Sequence, residues 1–259
     1  AYQALHNTIA TAQAAELAGF TRFWVAEHHH NKNFASSAPE ILVAYLLAST
    51  KTIRIGSGGV MLQHYSPYKV AEVFNVLAAL APNRVDIGIG KTPGGLPAAT
   101  SALQVELSKE SCLSFLEKVE LLSELLGGNE LASGRFQSIA ATPKVEQKAQ
   151  GYLLGASVGS AELAAKLDWN LSYAGHLNGN DQNLNDTFAV YSKATQGEVP
   201  LFALAAVIAK TQQEAKERAD TIVIYKVHFP DKTSFSLPTY EAADEFGRQS
   251  GQSNYEIEK

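Results

Sequence analysis

Apolar positions along this chain switch between two rhythms, and the switches mark its elements. Leu5, Ile9, Ala12 and Leu17 recur at helical spacing over residues 2–18, and Gly19 follows as a stop. Phe20, Phe23, Trp24, Val25 and Ala26 then crowd together with the composition of a buried strand over 20–27. Pro39 opens a helix to about Ser49, with Ser36 or Ser37 as candidate caps. A strand over 53–61, a helix over 67–80 and a strand over 84–90 come next, then a Gly/Pro loop over 92–97. Residues 108–126 are strongly periodic and close on Gly127-Gly128. The remaining pattern predicts strands over 152–155, 171–175 and 199–208, alternating with helices over 160–167, 181–195 and 211–224. From residue 228 to 259 the chain is polar, holds Pro230 and Pro238, and reads as an irregular segment without a strand.

Six strands separated by helices, with no clear linker, imply a single domain over 1–259 built on a parallel sheet with right-handed crossovers. The apolar run 201–208 suits a strand buried on both faces. An open Rossmann-like sheet and a closed (β/α)8 TIM barrel both fit the alternation. The glycine fingerprint of the former, with its later ribose acid, is absent. A barrel is favoured, with terminal strand units missing from the chain. Met61 is the only methionine, so the natural start is also expected to be missing.

Composition narrows the chemistry. A hydrophobic fraction of 46% and a charged fraction of 18% are those of a globular protein. A net charge of -5 with no basic block argues against nucleic-acid or anionic-membrane partners. The lone Cys112 excludes an internal disulfide and a multi-cysteine metal site, which suits a cytoplasmic setting. No apolar stretch is long enough to span a bilayer, and no signal peptide is visible.

Four strand ends carry candidate chemistry. After the first strand stand Glu27, His28, His29 and His30, where an apolar run stops. That is the edge where barrel active sites are built, and histidine titrates nearest neutral pH. Side chains alternate in an extended chain, so at most two of these four face one pocket. A metal site would need ligands from other strand ends and ranks second, as would a metal-dependent barrel hydrolase built on it. The second strand holds Gly56, Gly58 and Gly59, which mark either a flat ligand laid on the strand or a tight packing contact; the two readings weigh equally. His64 and Tyr65 follow on the same mouth. Gly90 and Lys91 end the third strand, where the lysine could meet an anion, and Arg84 and Asp86 are placed to pair at the barrel's base. After the fourth strand, Ser157, Val158, Gly159 and Ser160 lead into a helix, a geometry that holds phosphate and is equally that of a plain N-cap. Together these ends offer imidazoles, a glycine platform, a cation and a phosphate cradle. A planar phosphorylated cofactor would use all four.

The segments RFWVAEHH (22–29), ASSAPE (35–40), IRIGSGGVML (53–62), HYSPYKVAE (64–72), RVDIGIGKTPG (84–94) and LLGASVGSAELAAKL (153–167) resemble, in order, the bacterial luciferase-like flavin monooxygenases, in particular the alkanal monooxygenase alpha-like branch. The resemblance implies a (β/α)8 barrel, FMN, and commonly a homodimer or higher homo-oligomer. It also implies reduced FMN delivered from NAD(P)H by a separate flavin reductase, used with O2 on a small organic substrate. By position, His28 resembles the family's active-site histidine. Gly58-Gly59 matches a non-proline cis peptide beneath the flavin ring. Lys91 matches a basic phosphate contact, Gly90 beside it counts among the cofactor-binding positions, and Ser157, Val158, Gly159 and Ser160 match the phosphate loop. Glu27, His29, His64 and His176 would line the substrate side. Two departures, His30-Asn31-Lys32-Asn33 and Gln63, fall at the expected substrate mouth. The alternatives are an F420-dependent reductase or dehydrogenase of the same fold and a non-catalytic flavin-binding protein.

Overall fold

The computed structural model describes residues 1–259 except 32, 106–112, 178, 232 and 253. In chain order come helix α1 (Tyr2–Leu17), strand β1 (Arg22–Val25), α2 (Pro39–Ser49), β2 (Arg54–Met61), α3 (Pro67–Leu80), β3 (Val85–Gly90), α4 (Pro97–Leu103) and α5 (Phe115–Leu125). Then follow β4 (Gln150–Gly155), α6 (Val158–Lys166), β5 (Asn170–Ala174), α7 (Asp181–Ala194), β6 (Leu201–Ala203) and α8 (Gln212–Asp220). Last come β7 (Tyr225–His228), β8 (Ser234–Leu237), α9 (Tyr240–Gln249) and β9 (Glu256–Glu258).

Strands β1 to β6 pair in parallel and in strictly sequential order. Each new strand is added on the same side, as a barrel grows, whereas a doubly wound sheet reverses. The sheet curls into a half-barrel, so the barrel favoured by the sequence is borne out as a partial (β/α)8 barrel. One strand face carries Ile55, Ile87, Ile89, Leu153 and Leu171, which share a buried cluster with Val43, Leu46, Phe74, Leu77, Val119 and Leu122 from the helices. Each such fully buried side chain stabilises by roughly 1.5–3 kcal/mol. By alternation the opposite face carries Trp24, Gly56, Asp86 and Tyr152.

That face corrects one expectation. Arg84 does not pair with Asp86; its guanidinium donates to Thr50 Oγ1 and to the Ile53 and Leu47 carbonyls. Asp86, wholly buried, instead holds Arg54 (2.6 Å) and Arg22 (3.1 Å) and accepts from Trp24 Nε1 (2.9 Å). Arg22 and Arg54 sit opposite each other in register at the strand starts, so the amino edge of the sheet is closed by charge.

Other differences have local causes. Neither Ser36 nor Ser37 caps α2: Ala38 occupies the cap position, and Pro39 removes an N–H that a cap would have served. The helix predicted over 108–126 begins at Phe115, where Ser114 and Glu117 form a reciprocal capping box; residues 108–112 lie outside those described. The strand predicted over 199–208 shrinks to Leu201–Ala203, and it is not buried on both faces. It is the sheet's edge, with Phe202 47% and Ile208 85% exposed. The segment predicted to be irregular contains a three-stranded antiparallel sheet ordered β8-β7-β9, packed on α9. Val227, Phe229, Ala243 and Phe246 make its own small core, which Leu96 joins from the loop before α4.

Candidate active site at the carboxyl edge

Parallel pairing gathers the carboxyl ends of β1 to β5 along one edge. The residues predicted for the site lie there. Glu27, His28 and His29 follow β1; Gly58 and Gly59 are in β2, and His64 follows it; Gly90 and Lys91 end β3; Ser157, Val158, Gly159 and Ser160 follow β4; His176 follows β5.

The alternation expected after β1 holds. Glu27 and His29 turn the same way and share a 2.6 Å hydrogen bond from His29 Nε2 to Glu27 Oε1. Tyr65 OH donates to the same oxygen at 2.6 Å, and the Met61 amide donates to Oε2 at 2.9 Å. Burial, with the Glu27 carboxylate next, pushes the Tyr65 phenol far above its usual range, so it stays a donor. Glu27 is wholly buried with both oxygens engaged. His28 turns the other way, half-buried, and stacks on Phe34 at 4.5 Å. Burial lowers its pKa and favours the neutral imidazole.

His64 has its own partners. It is buried, Nε2 donates to the Pro93 carbonyl at 2.9 Å, and Nδ1 accepts from Gln104 Nε2 at 3.0 Å. Burial lowers its pKa as well. The turn that carries it, Leu62–His64, is gripped from α5. Lys118, 4% exposed, donates from Nζ to the carbonyls of Leu62, Gln63 and Tyr65 at 3.3, 2.9 and 3.1 Å. Neither Lys118 nor Gln104 is an obvious site residue from the sequence. The signal for Lys118 was a charge on the helix stripe that also carries Leu122 and Leu125.

The Gly58-Gly59 peptide is cis. A Cβ on Gly58 would meet Trp24 Cβ at 3.2 Å, and one on Gly59 would meet Leu154 Cδ1 at 2.4 Å and the Gly88 carbonyl oxygen at 2.7 Å. Neighbouring strands therefore leave no room for a side chain at either position. At the fourth strand end, α6 begins at Val158, two residues before the position predicted. Ser157 is its cap, accepting from the Ser160 amide, and the two hydroxyls lie 3.0 Å apart. The first-turn amides of Val158 and Gly159 find no acceptor among the described residues, and a Cβ on Gly155 would strike Ser160 Oγ. Lys91 is exposed without an ion-pair partner among the described residues, and His176 is exposed at the end of β5. This donor set of amides, hydroxyls and an ammonium fits an anionic group such as a phosphate. Among the described residues no group of three His, Cys, Asp or Glu could hold a metal ion.

An α/β half-barrel with its polar residues gathered at the carboxyl edge is the architecture of barrel enzymes. The chain belongs to the luciferase-like monooxygenase family, whose profile matches residues 1–254. It is 41% identical over 245 residues to the N-acetyl-S-alkylcysteine monooxygenase of Bacillus subtilis (strain 168), covering 93% of this chain and 73% of that protein. It is 35% identical over 177 residues to a luciferase-like monooxygenase of Escherichia coli (strain K12), covering 68% of this chain and 51% of that one. Among solved structures, apo-MsnO8 superposes with a TM-score of 0.71 at 36% identity, over 83% of this chain and 64% of that one. An F420-dependent secondary alcohol dehydrogenase shares the fold at 16% identity, with a TM-score of 0.65 over 95% of this chain and 78% of that one. No helix among the described residues is long and apolar enough to cross a membrane.

Proposed function

We propose that this chain is an FMN-dependent monooxygenase that uses reduced flavin and O2 to oxidise a small organic substrate. One observation carries the cofactor: a phosphate-ready turn of free amides and paired hydroxyls lies on the same sheet edge as the buried histidine network. FMN, when bound, supplies the electrons that activate O2. Ser157, Val158, Gly159, Ser160 and Lys91 are the residues that would hold its phosphate, and Gly58, Gly59 and Gly90 those that would leave room for its ring. His28 handles protons near the reactive edge, and the neutral form favoured by burial suits it to accept one. His29 and His176 face the substrate. Oxygenation is preferred to F420-linked hydride transfer because the 41%-identical relative bears the name of a monooxygenase. That name also nominates S-alkylated N-acetylcysteines as the first substrates to try.

The proposal extends to partners: an NAD(P)H flavin reductase in the cytoplasm, and a second copy of the chain. Exposed Ile41 and Tyr45 on α2 and Leu80 on α3 support a homodimer.

An FMN titration followed by O2 uptake with reduced FMN tests the reading. Saturable FMN binding and substrate-stimulated O2 consumption are expected, with His28→Ala binding FMN nearly as well while losing about 10²–10⁴ in turnover. Anaerobic reduction of F420 with no O2 uptake would give the site to hydride transfer. FMN binding without turnover would give it to a carrier.

A further inference from the structure

We infer that His29 is a second proton-handling residue of this site, working as a dyad with Glu27, and that Tyr65 is the positioning residue that sets the dyad. The inference rests on the monooxygenase reading for its reaction, though not for its geometry.

The four imidazoles around the β1 and β2 ends have distinct fates. His30 is exposed. His64 has both ring nitrogens committed and is buried, the signature of a structural histidine. His28 stacks on a phenyl ring and meets no carboxylate. His29 alone points one nitrogen at a buried carboxylate and keeps the other without a hydrogen-bond partner among the described residues. Its side chain retains 11% exposure, enough for a small acid to reach it.

The donors around Glu27 fix the tautomer. Glu27 Oε1 already receives the Tyr65 hydroxyl, and Oε2 receives the Met61 amide, so the carboxylate acts as acceptor throughout. His29 Nε2 therefore carries the hydrogen, and Nδ1 carries the lone pair. When a proton is released at the reacting centre, the X–H bond breaks and an Nδ1–H bond forms. The imidazolium charge then faces an ionised Glu27 2.6 Å away, which stabilises it without moving a second proton. Return of the proton from Nδ1 to product or solvent closes the cycle, with no oxidant or reductant involved. Tyr65 sits 3.4 Å from His29 Nε2 and holds the shared oxygen from its other side. Its loop is in turn anchored by Lys118.

The test has an arm that needs no cofactor. Proton–nitrogen correlation spectra of the full chain carrying ¹⁵N-histidine, with His29 assigned by His29→Asn, should show neutral His29 as the Nε2–H tautomer; Glu27→Gln should weaken that preference. A predominant Nδ1–H tautomer in the wild type would overturn the dyad. In turnover, His29→Asn should lose about 10²–10⁴ while keeping FMN affinity, and added imidazole should restore part of it. His29→Asn turnover within about threefold of wild type would mean a merely structural role. Should wild type neither bind FMN nor consume O2, the monooxygenase reading falls, while the tautomer arm still judges the dyad.

Discussion

Two buried carboxylates sit at opposite ends of the same curled sheet, and their company differs. Asp86, at the amino edge, is held by two arginines and an indole N–H. Glu27, past the carboxyl edge, is held by an imidazole, a phenol and one amide. Both are wholly buried, so each needs donors to offset its desolvation. Arginine is a permanent cation, so the first cluster sets its carboxylate between two fixed charges. Imidazole exchanges protons near neutrality, so the second keeps a carboxylate poised beside a group that can change state. One end of the sheet is built to stay as it is, the other to respond. The sharpest way to break this contrast is Asp86→Ala, which strands two guanidinium groups and Trp24 Nε1. It should cost about 3–5 kcal/mol in urea unfolding. A cost near zero would remove the amino edge from the list of what holds the barrel together.

The next effect is smaller and tests how the responsive end is kept in shape. Lys118→Met keeps the methylene stem packed and removes the ammonium that satisfies three carbonyls. A loss of about 2 kcal/mol is expected. Turnover should fall in parallel, because the 62–65 turn that brings Tyr65 to Glu27 is released; stability loss with unchanged turnover would uncouple the clamp from the site. Smaller again is Glu27→Gln, which keeps the shape and one acceptor oxygen for Tyr65 and His29 but turns an amide –NH2 towards the Met61 N–H. It should cost about 1 kcal/mol in stability, far less than its cost in rate. Equal stability losses at Glu27 and Asp86 would erase the distinction between the two ends.

How much of this could be read beforehand depended on the range of the signal. The parallel sheet was legible because strand and helix patterns alternate along the chain, and its buried strands write short apolar runs such as Phe23-Trp24-Val25. The pairing of Glu27 with His29, rather than with His28, follows from period-two alternation alone. The order of the strand tips then brought four motifs to one edge. What the sequence hid was long-range. Lys118 reaches the 62–65 turn across 53 to 56 residues, and Asp86 chose Arg22 and Arg54 over nearby Arg84 because register, not spacing, sets who faces whom. The sheet of β7, β8 and β9 escaped because strands of four, four and three residues offer too few inward positions to show a rhythm. The burial of His64 and Glu27 was hidden too, because burial of a polar side chain is invisible until its partners are known.

A third carboxylate extends the comparison to the surface and carries the smallest effect. Glu16 lies in the last turn of α1, where the helix dipole disfavours an acid. Its Oε1 nevertheless accepts from the amides of Ile53 (2.9 Å), Thr52 (2.6 Å) and Lys51 (2.9 Å), and from Thr52 Oγ1 (3.1 Å). These bonds, that from Ile53 foremost, lower its pKa from 4.5 to about 2. A carboxyl group whose folded pKa is depressed stabilises fully above its unfolded value and loses that contribution as pH falls through the folded one. The stability difference between wild type and Glu16→Gln should therefore be constant above pH 4.5 and shrink steadily towards pH 2. Paired melts across that range measure it. Solvent reaches this site, so the difference should also be the most salt-sensitive of the three carboxylates, while those at Asp86 and Glu27 barely respond to ionic strength. A salt-insensitive Glu16 would show that its amide cradle, rather than its exposure, sets its energetics, and would place it with the locked end of the sheet.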